Sequence, residues 1–315
     1  MHREAPTGAI QGSCAGFGIR AEHRFRTLRH GTVEPTLSVH EGEIGSPVGE
    51  VVLAWRPRPD NPFEGRLIRT PSGFAYWASD AGWFTVDPLS GTIGLSPGRF
   101  TLRRELRLLG IPLSLCAFEL GDITIHAAAI EVEGAAVLLA GPSRSGKTTL
   151  AAAFCAAGHR LLAEDSTRCG VIGSPVVHPG PAAIRLREDV AARLRLPGSP
   201  ADAADDTEAG DPGRVPIVLD ADARGTGAHV PLAAILFLRS ELGEVHLEPV
   251  PSMAAIRDLL ALTFHPPTPA GRAMAFSRIA DLVRGVSVLD LYRPQTIESL
   301  DDVLESVVRH VRSVA

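Results

Sequence analysis

The segment AAVLLAGPSRSGKT, residues 135–148, constrains the fold of this chain more than any other. Its first half is a continuous apolar run of the length of a strand buried on both faces. Its second half, Gly141-Pro142-Ser143-Arg144-Ser145-Gly146-Lys147-Thr148, fits the pattern GxxxxGK[ST]. A helix is expected over about 146–157, with Gly158 standing where a helix end takes a left-handed residue. Strand, glycine-rich turn and helix in that order form a cradle for phosphate. The glycines let the backbone wrap until its N–H groups converge on phosphate oxygens, and the helix N-terminus adds the positive end of its dipole. The lysine carries a compact charge on a flexible stem that reaches β- and γ-phosphates. The threonine hydroxyl is placed to ligate Mg2+.

Composition sharpens this reading. The 315 residues hold 31 basic side chains, and Lys147 is the single lysine among them. GC-rich codon usage accounts for the arginines. It does not account for where the lysine stands, which is the one place where a planar, bulkier guanidinium serves poorly.

The remaining composition excludes classes. Hydrophobic residues make up 45% and charged residues 21%, too apolar for a disordered chain. The formal net charge of -5 gives no global field for nucleic acid or anionic membrane, so neither is expected as a partner. No apolar run is long enough to span a bilayer, and residues 1–18 lack an apolar signal core, so a cytoplasmic protein is expected. Cys14, Cys116, Cys155 and Cys169 form no CxxC pair and read as reduced thiols, with neither disulfide framework nor zinc site.

Three regions are expected: a β-rich module over 1–98, a helical linker over 99–122 and an α/β domain over 123–315. In the first, 49–57, 73–79, 82–88 and the TIGLSP segment read as short strands of an antiparallel meander. The arginine-rich stretch 20–29 reads as a solvated face. The linker reads as one or two helices, with Pro112 permitting a break. In the third region, 123–134 alternates like one strand and 159–165 like another, ending in Glu164-Asp165. Residues 196–214 read as a mobile loop whose acidic part, 202–211, is either a lid or an insertion. A buried strand is expected at 231–240, helices near 252–262 and 272–284, a late strand in GVSVLDLYRP, and an amphipathic helix in the tail.

A carboxylate pair so soon after a phosphate loop is distinctive. Asp165 can accept a proton from an attacking hydroxyl or hold Mg2+; the structural alternative is that Asp165 caps a turn and Glu164 is solvated. His126 by itself reads as a satisfied strand histidine.

Taken together, His126, GPSRSGKTT and GHRLLAED resemble the HPr kinase/phosphorylase family over residues 121–169, more faintly beyond. The resemblance implies an α/β fold: a P-loop kinase core of the HPr kinase/phosphoenolpyruvate carboxykinase type with a small β-rich N-terminal domain. It implies that Asp165 activates a serine hydroxyl, with His126 and Lys147 as the other catalytic residues. Gly141, Ser143, Arg144, Ser145, Gly146, Lys147, Thr148 and Thr149 would bind ATP, and Thr148 with Glu164 would hold Mg2+. Two departures stand out. The first acid of the family's Asp-Asp pair is Glu164, which keeps the charge. The family's later Leu-Glu-Ile-Arg-Gly signature reads Ala182-Ala183-Ile184-Arg185-Leu186, so its metal-holding glutamate is Ala183; Glu188 and Asp189 fall off the spacing. A one-way kinase is therefore expected rather than a phosphorylase. The whole-chain layout resembles the branch that phosphorylates a serine of lasso-type precursor peptides, and the family implies a homo-oligomer.

The β-rich module favours a peptide or protein acceptor, since a small acceptor needs no such platform. Arg185 and Arg272 are each either phosphate contacts or solvated arginines. Two other readings stand beside the kinase: an ATP-binding sensor that never transfers phosphate, and a small-molecule kinase acting on free serine.

Overall fold

The computed structural model describes residues 8–57, 62–201, 213–241, 243–266 and 268–314. Eight short strands come first: β1 (Ala9–Cys14), β2 (Phe17–Ala21), β3 (Thr36–Glu41), β4 (Glu50–Trp55), β5 (Gly65–Thr70), β6 (Gly73–Ala78), β7 (Gly82–Asp87) and β8 (Thr92–Leu95). They form one sheet in the order β1-β2-β3-β8-β7-β6-β5-β4. Strands β4 to β8 make the antiparallel meander expected from their turn residues. The sheet as a whole is mixed, however, because β3 pairs in parallel with both β2 and β8. Those pairings join segments distant in sequence, so no local turn announces them. Phe17, Ile19, Tyr76, Phe84 and Ile93 fill one buried face of this sheet.

Two helices follow, α1 (Leu102–Leu108) and α2 (Ile111–Glu119). Thr101 caps α1, its hydroxyl accepting from Arg104 N. The break falls at Gly110 rather than at Pro112, which sits in the first turn of α2, where its missing N–H costs nothing.

The rest of the chain is α/β: β9 (Ile123–Ile125), β10 (Ala127–Val132), β11 (Ala135–Ala140), α3 (Lys147–Ala156), β12 (Arg160–Ala163), β13 (Thr167–Gly170), β14 (Val176–His178), β15 (Ala183–Arg187), α4 (Glu188–Arg193), β16 (Gly198–Pro200), β17 (Arg214–Leu219), α5 (Ala221–Arg224), β18 (Val230–Ser240), β19 (His246–Pro249), α6 (Ser252–Leu262), β20 (Thr263–Phe264), α7 (Pro269–Gly285), β21 (Ser287–Arg293) and α8 (Leu300–Val314). Strands β11, β18 and β21 run parallel; beyond β11, β10 is antiparallel to it and β12 antiparallel to β10. Helix α3 packs Leu150 and Phe154 on one face together with Val303, Val307 and Val311 of α8. Helices α6 and α7 cover the other through Leu259 and Ile279.

Three expectations are corrected. The alternating stretch 123–134 is two strands, not one: β9 pairs with β13 and β20, whereas β10 pairs with β11 and β12, and His126 stands at the handover. The stretch 196–214 is not loop throughout, since β16 pairs with β17. Helix α7 begins at Pro269, capped by the Thr268 hydroxyl, ahead of the expected start at 272. The acidic part of that loop, 202–211, lies outside the described residues, as do residues 1–7.

The N-terminal sheet is joined to the α/β part by two buried arginines. Arg29 donates to the carbonyls of Leu161 (2.7 Å), Leu162 (2.8 Å) and Gly180 (2.8 Å), and to Arg224 O. Arg168 pairs with Asp122 at 2.6 Å, donates to Ala15 O at 2.7 Å and lies over the Phe17 ring. The four cysteines are buried free thiols; burial pushes Cys14 and Cys116 up to about 12, which leaves them inert as nucleophiles. Among the described residues, no helix is long and apolar enough to cross a membrane.

Candidate active site

The site forms where β11 ends and α3 begins. Gly141 (φ 151°) and Gly146 (φ 88°) carry the turn, and Arg144 takes φ 66°, a left-handed conformation costing an L-residue about 1–2 kcal/mol. Two residues from the far end of the chain hold this backbone: Gln295 Nε2 donates to Arg144 O at 2.7 Å, and Arg293 Nη2 to Ser145 O at 2.9 Å. A Cβ on Gly146 would collide with the Arg293 guanidinium, so the glycine is needed for close approach as well as for its φ. Ser143 and Arg144 face solvent at the rim, and Thr149 is half-buried on α3.

Lys147 opens α3 and is buried. Its ammonium donates to Gly141 O (2.8 Å) and Pro142 O (3.0 Å). Burial pulls its pKa below the ordinary 10.5; Asp165 pushes it back up and Arg214 lowers it further. The first turn of α3 leaves backbone amides without intrahelical acceptors, aimed at the same space.

Glu164 and Asp165 follow β12 and point different ways. Glu164 is buried. Its Oε1 lies 3.5 Å from Thr148 Oγ1, and its Oε2 accepts from Arg185 Nε at 3.2 Å. Burial pushes its carboxyl above the ordinary 4.5, Arg185 pulls it down, and Asp165 pushes it up again. Asp165 opens into a cleft, half-exposed, with Oδ1 3.3 Å from His126 Nδ1 and Oδ2 4.0 Å from Arg185 Nη2. His126 is anchored through its backbone, N to Leu262 O at 2.7 Å.

Thr148 and Glu164 present an all-oxygen donor set, one hydroxyl and one carboxylate. A hard cation that also takes phosphate oxygens and water accepts such a set, so these residues fit Mg2+.

The sequence leaves Arg185 open between phosphate contact and solvated arginine; in the structure it pairs with Glu164 from β15 while its side chain stays 40% exposed. Arg272 is exposed on α7, and Asp189 pairs with Arg187 at the surface. Ala183 is buried in the cleft wall. Three contributors were missed: Arg293, Gln295 and Arg214, whose charge acts on both Lys147 and Glu164. Among so many arginines Arg293 and Arg214 have no distinguishing spacing, and Gln295 lies in no motif. Arg293 reaches the loop only through the parallel pairing of β18 with its neighbours on both sides.

Beside Asp165 lies a cleft of about 1040 Å3. His126, Glu164, Asp165 and Arg185 line its inner end; Leu53, Trp55 and Tyr76 of the N-terminal sheet and Leu106 of α1 line its outer wall.

No protein-family model matches this chain, and no curated protein matches it in sequence. A solved structure described as the HPr(Ser) kinase/phosphatase from Coxiella burnetii is similar to it over 60% of this chain and 96% of that one, with 15% identity and a TM-score of 0.31.

Proposed function

We propose that this chain is an ATP-dependent kinase that transfers the γ-phosphate to a serine hydroxyl of a peptide or protein, a biosynthetic precursor peptide being the favoured acceptor. One observation carries the reading. Asp165 faces an open cleft while the adjacent Glu164 is turned back toward Thr148 on the phosphate loop. Two neighbouring carboxylates thus take separate tasks, one toward an acceptor and one toward a cation.

The backbone amides of residues 143–148 and the Lys147 ammonium hold the phosphates of ATP. On binding, Lys147 exchanges the Gly141 and Pro142 carbonyls for phosphate oxygens. Thr148 and Glu164 would hold Mg2+, which would supply charge neutralisation at the phosphates. The acceptor oxygen attacks the γ-phosphorus in line, its proton passes to Asp165 Oδ, and the bond to the β,γ-bridging oxygen breaks, leaving ADP. His126 fixes the Asp165 carboxylate. Positioning and charge stabilisation carry most of such a reaction. Ala183, where the resembled family has a metal-holding glutamate, favours transfer in one direction.

The test is incubation with γ-labelled ATP and serine-containing peptides. Label on peptide, lost in Lys147→Ala, is the expected result. Label released only as inorganic phosphate, or retained wholly in ATP, would replace the kinase with a nucleotide-dependent sensor.

A further inference from the structure

The cleft beside Asp165 is walled by two parts of the chain, and the wall away from the phosphate loop is largely apolar, with Arg103 and Arg107 of α1 also lining it. Leu53 and Trp55 of β4, Leu106 of α1, Ile111 of α2 and Phe264 of β20 line it. Trp55 is set edge-on to the buried Tyr76, ring centroids 6.0 Å apart, which fixes its face in the wall. At about 1040 Å3 the cleft reaches the upper end of the roughly 300–1,000 Å3 that enclose a small ligand, so a free amino acid would leave most of this wall wet.

Strand β4 adds a second observation. Among the described residues it pairs only with β5, so it is the edge of the N-terminal sheet, and its last residue is the Trp55 of the cleft wall. An edge strand offers a row of unpaired backbone groups, which an extended chain can pair with. A lipid alcohol would use the apolar wall but not that edge.

We propose that this cleft is the acceptor site, and that it takes an extended peptide with an apolar side chain, next to the hydroxyl-bearing residue, seated against Trp55, Leu106 and Phe264. The inference rests on the kinase reading above. The N-terminal sheet then selects the sequence around the hydroxyl, while the loop and acids perform the transfer.

The test uses synthetic peptides with one serine flanked by leucine, aspartate or glycine, together with free L-serine and farnesol as acceptors. Leucine-flanked peptides are expected to show the lowest KM. Trp55→Ala and Leu106→Glu should each raise that KM about tenfold or more, with kcat for saturating peptide held within about threefold. Trp77→Ala, on the opposite face of the same sheet, serves as the control with KM unchanged. Two variants guard against misfolding of either one. A KM indifferent to both, or a lower KM for serine or farnesol than for every peptide, overturns the proposal. Calorimetric binding of the same peptides to Asp165→Asn separates the two readings. Peptide binding lost in Leu106→Glu, with no transfer by the unsubstituted chain, would sink the kinase and leave the cleft assignment standing. Transfer insensitive to both substitutions would do the reverse.

Discussion

His126 and Asp165 meet at the inner end of the cleft, Nδ1 to Oδ1 at 3.3 Å, although the phosphate loop and all of α3 lie between them in sequence. They meet because β10 is flanked on its two sides by β11 and β12, so the residue before β10 and the residues after β12 emerge together. An amide in place of the Asp165 carboxylate keeps its size and its contact with His126 but takes no proton. Asp165→Asn is therefore expected to lower the transfer rate roughly 10²- to 10⁴-fold while ATP affinity changes little. Phosphotransfer kinetics beside a nucleotide titration check this; a near-normal rate would remove Asp165 from the role of base.

Arg293 is a buried cation with no carboxylate partner among the described residues. Its Nη2 holds Ser145 O, its Nε has no partner among the described residues, and burial lowers its pKa. Such a group adds little to stability, since desolvation offsets much of its bonding. Its effect is on the shape of the loop. Arg293→Met should leave the melting temperature close to that of the parent and weaken ATP binding about tenfold, the equivalent of one charge-assisted hydrogen bond's worth of loop order. Isothermal titration with ATP, paired with a thermal melt, reads both. Unchanged affinity would show that the loop keeps its form unaided.

What the sequence made legible was local. The apolar run before the loop, the glycine spacing and the helix behind it are short-range patterns, and all three appear where β11, the turn and α3 lie. The acidic pair stood out by its distance along the chain. What it concealed was pairing. Alternation cannot reveal that a strand changes partners at His126, nor that β3 runs parallel to β8. The arginines were opaque for another reason. In a chain with one lysine, the guanidinium has to serve every cationic need, so Arg29 in the domain joint, Arg185 beside Glu164 and Arg293 behind the loop look no different in sequence from those on the surface.

Arg29 contrasts with Arg293. It is also buried with no ion-pair partner among the described residues, and burial brings its pKa down to about 10, with Glu131 pulling it partly back up. Each of its three nitrogens donates, however, to carbonyls of β12, of α5 and of Gly180. Removing it orphans those carbonyls as well as the contact between modules. Arg29→Met, which keeps the aliphatic stem, is expected to cost at least about 3 kcal/mol. Because Leu161 and Leu162 lie just ahead of Glu164, kcat should fall too, with the acids no longer held in register. Denaturant titration and kinetics on the same sample test this. Stability equal to the parent's would mean the carbonyls find water instead.

The same joint carries a pH dependence. His178 packs against Gly16 of the N-terminal module, with Nε2 3.8 Å from Asp122, in a buried cluster with Arg168. Burial, and then the charges of Arg168 and His229, push its pKa down from 6.5 to about 3. The folded protein therefore holds this imidazole neutral, while the unfolded chain protonates it below pH 6.5. Stability from this residue is whole above that pH and declines as pH falls toward the folded value, by about 1.4 kcal/mol for each unit. Acidifying from pH 6.5 to 5 should thus remove roughly 2 kcal/mol, a fall of about 3 °C in melting temperature for a chain of 315 residues. His178→Gln removes the titration and should flatten that part of the profile, with the remaining slope due to carboxylates. Melting curves of the two proteins across this range decide it, and parallel profiles would mean that Asp122 accommodates the imidazolium without loss.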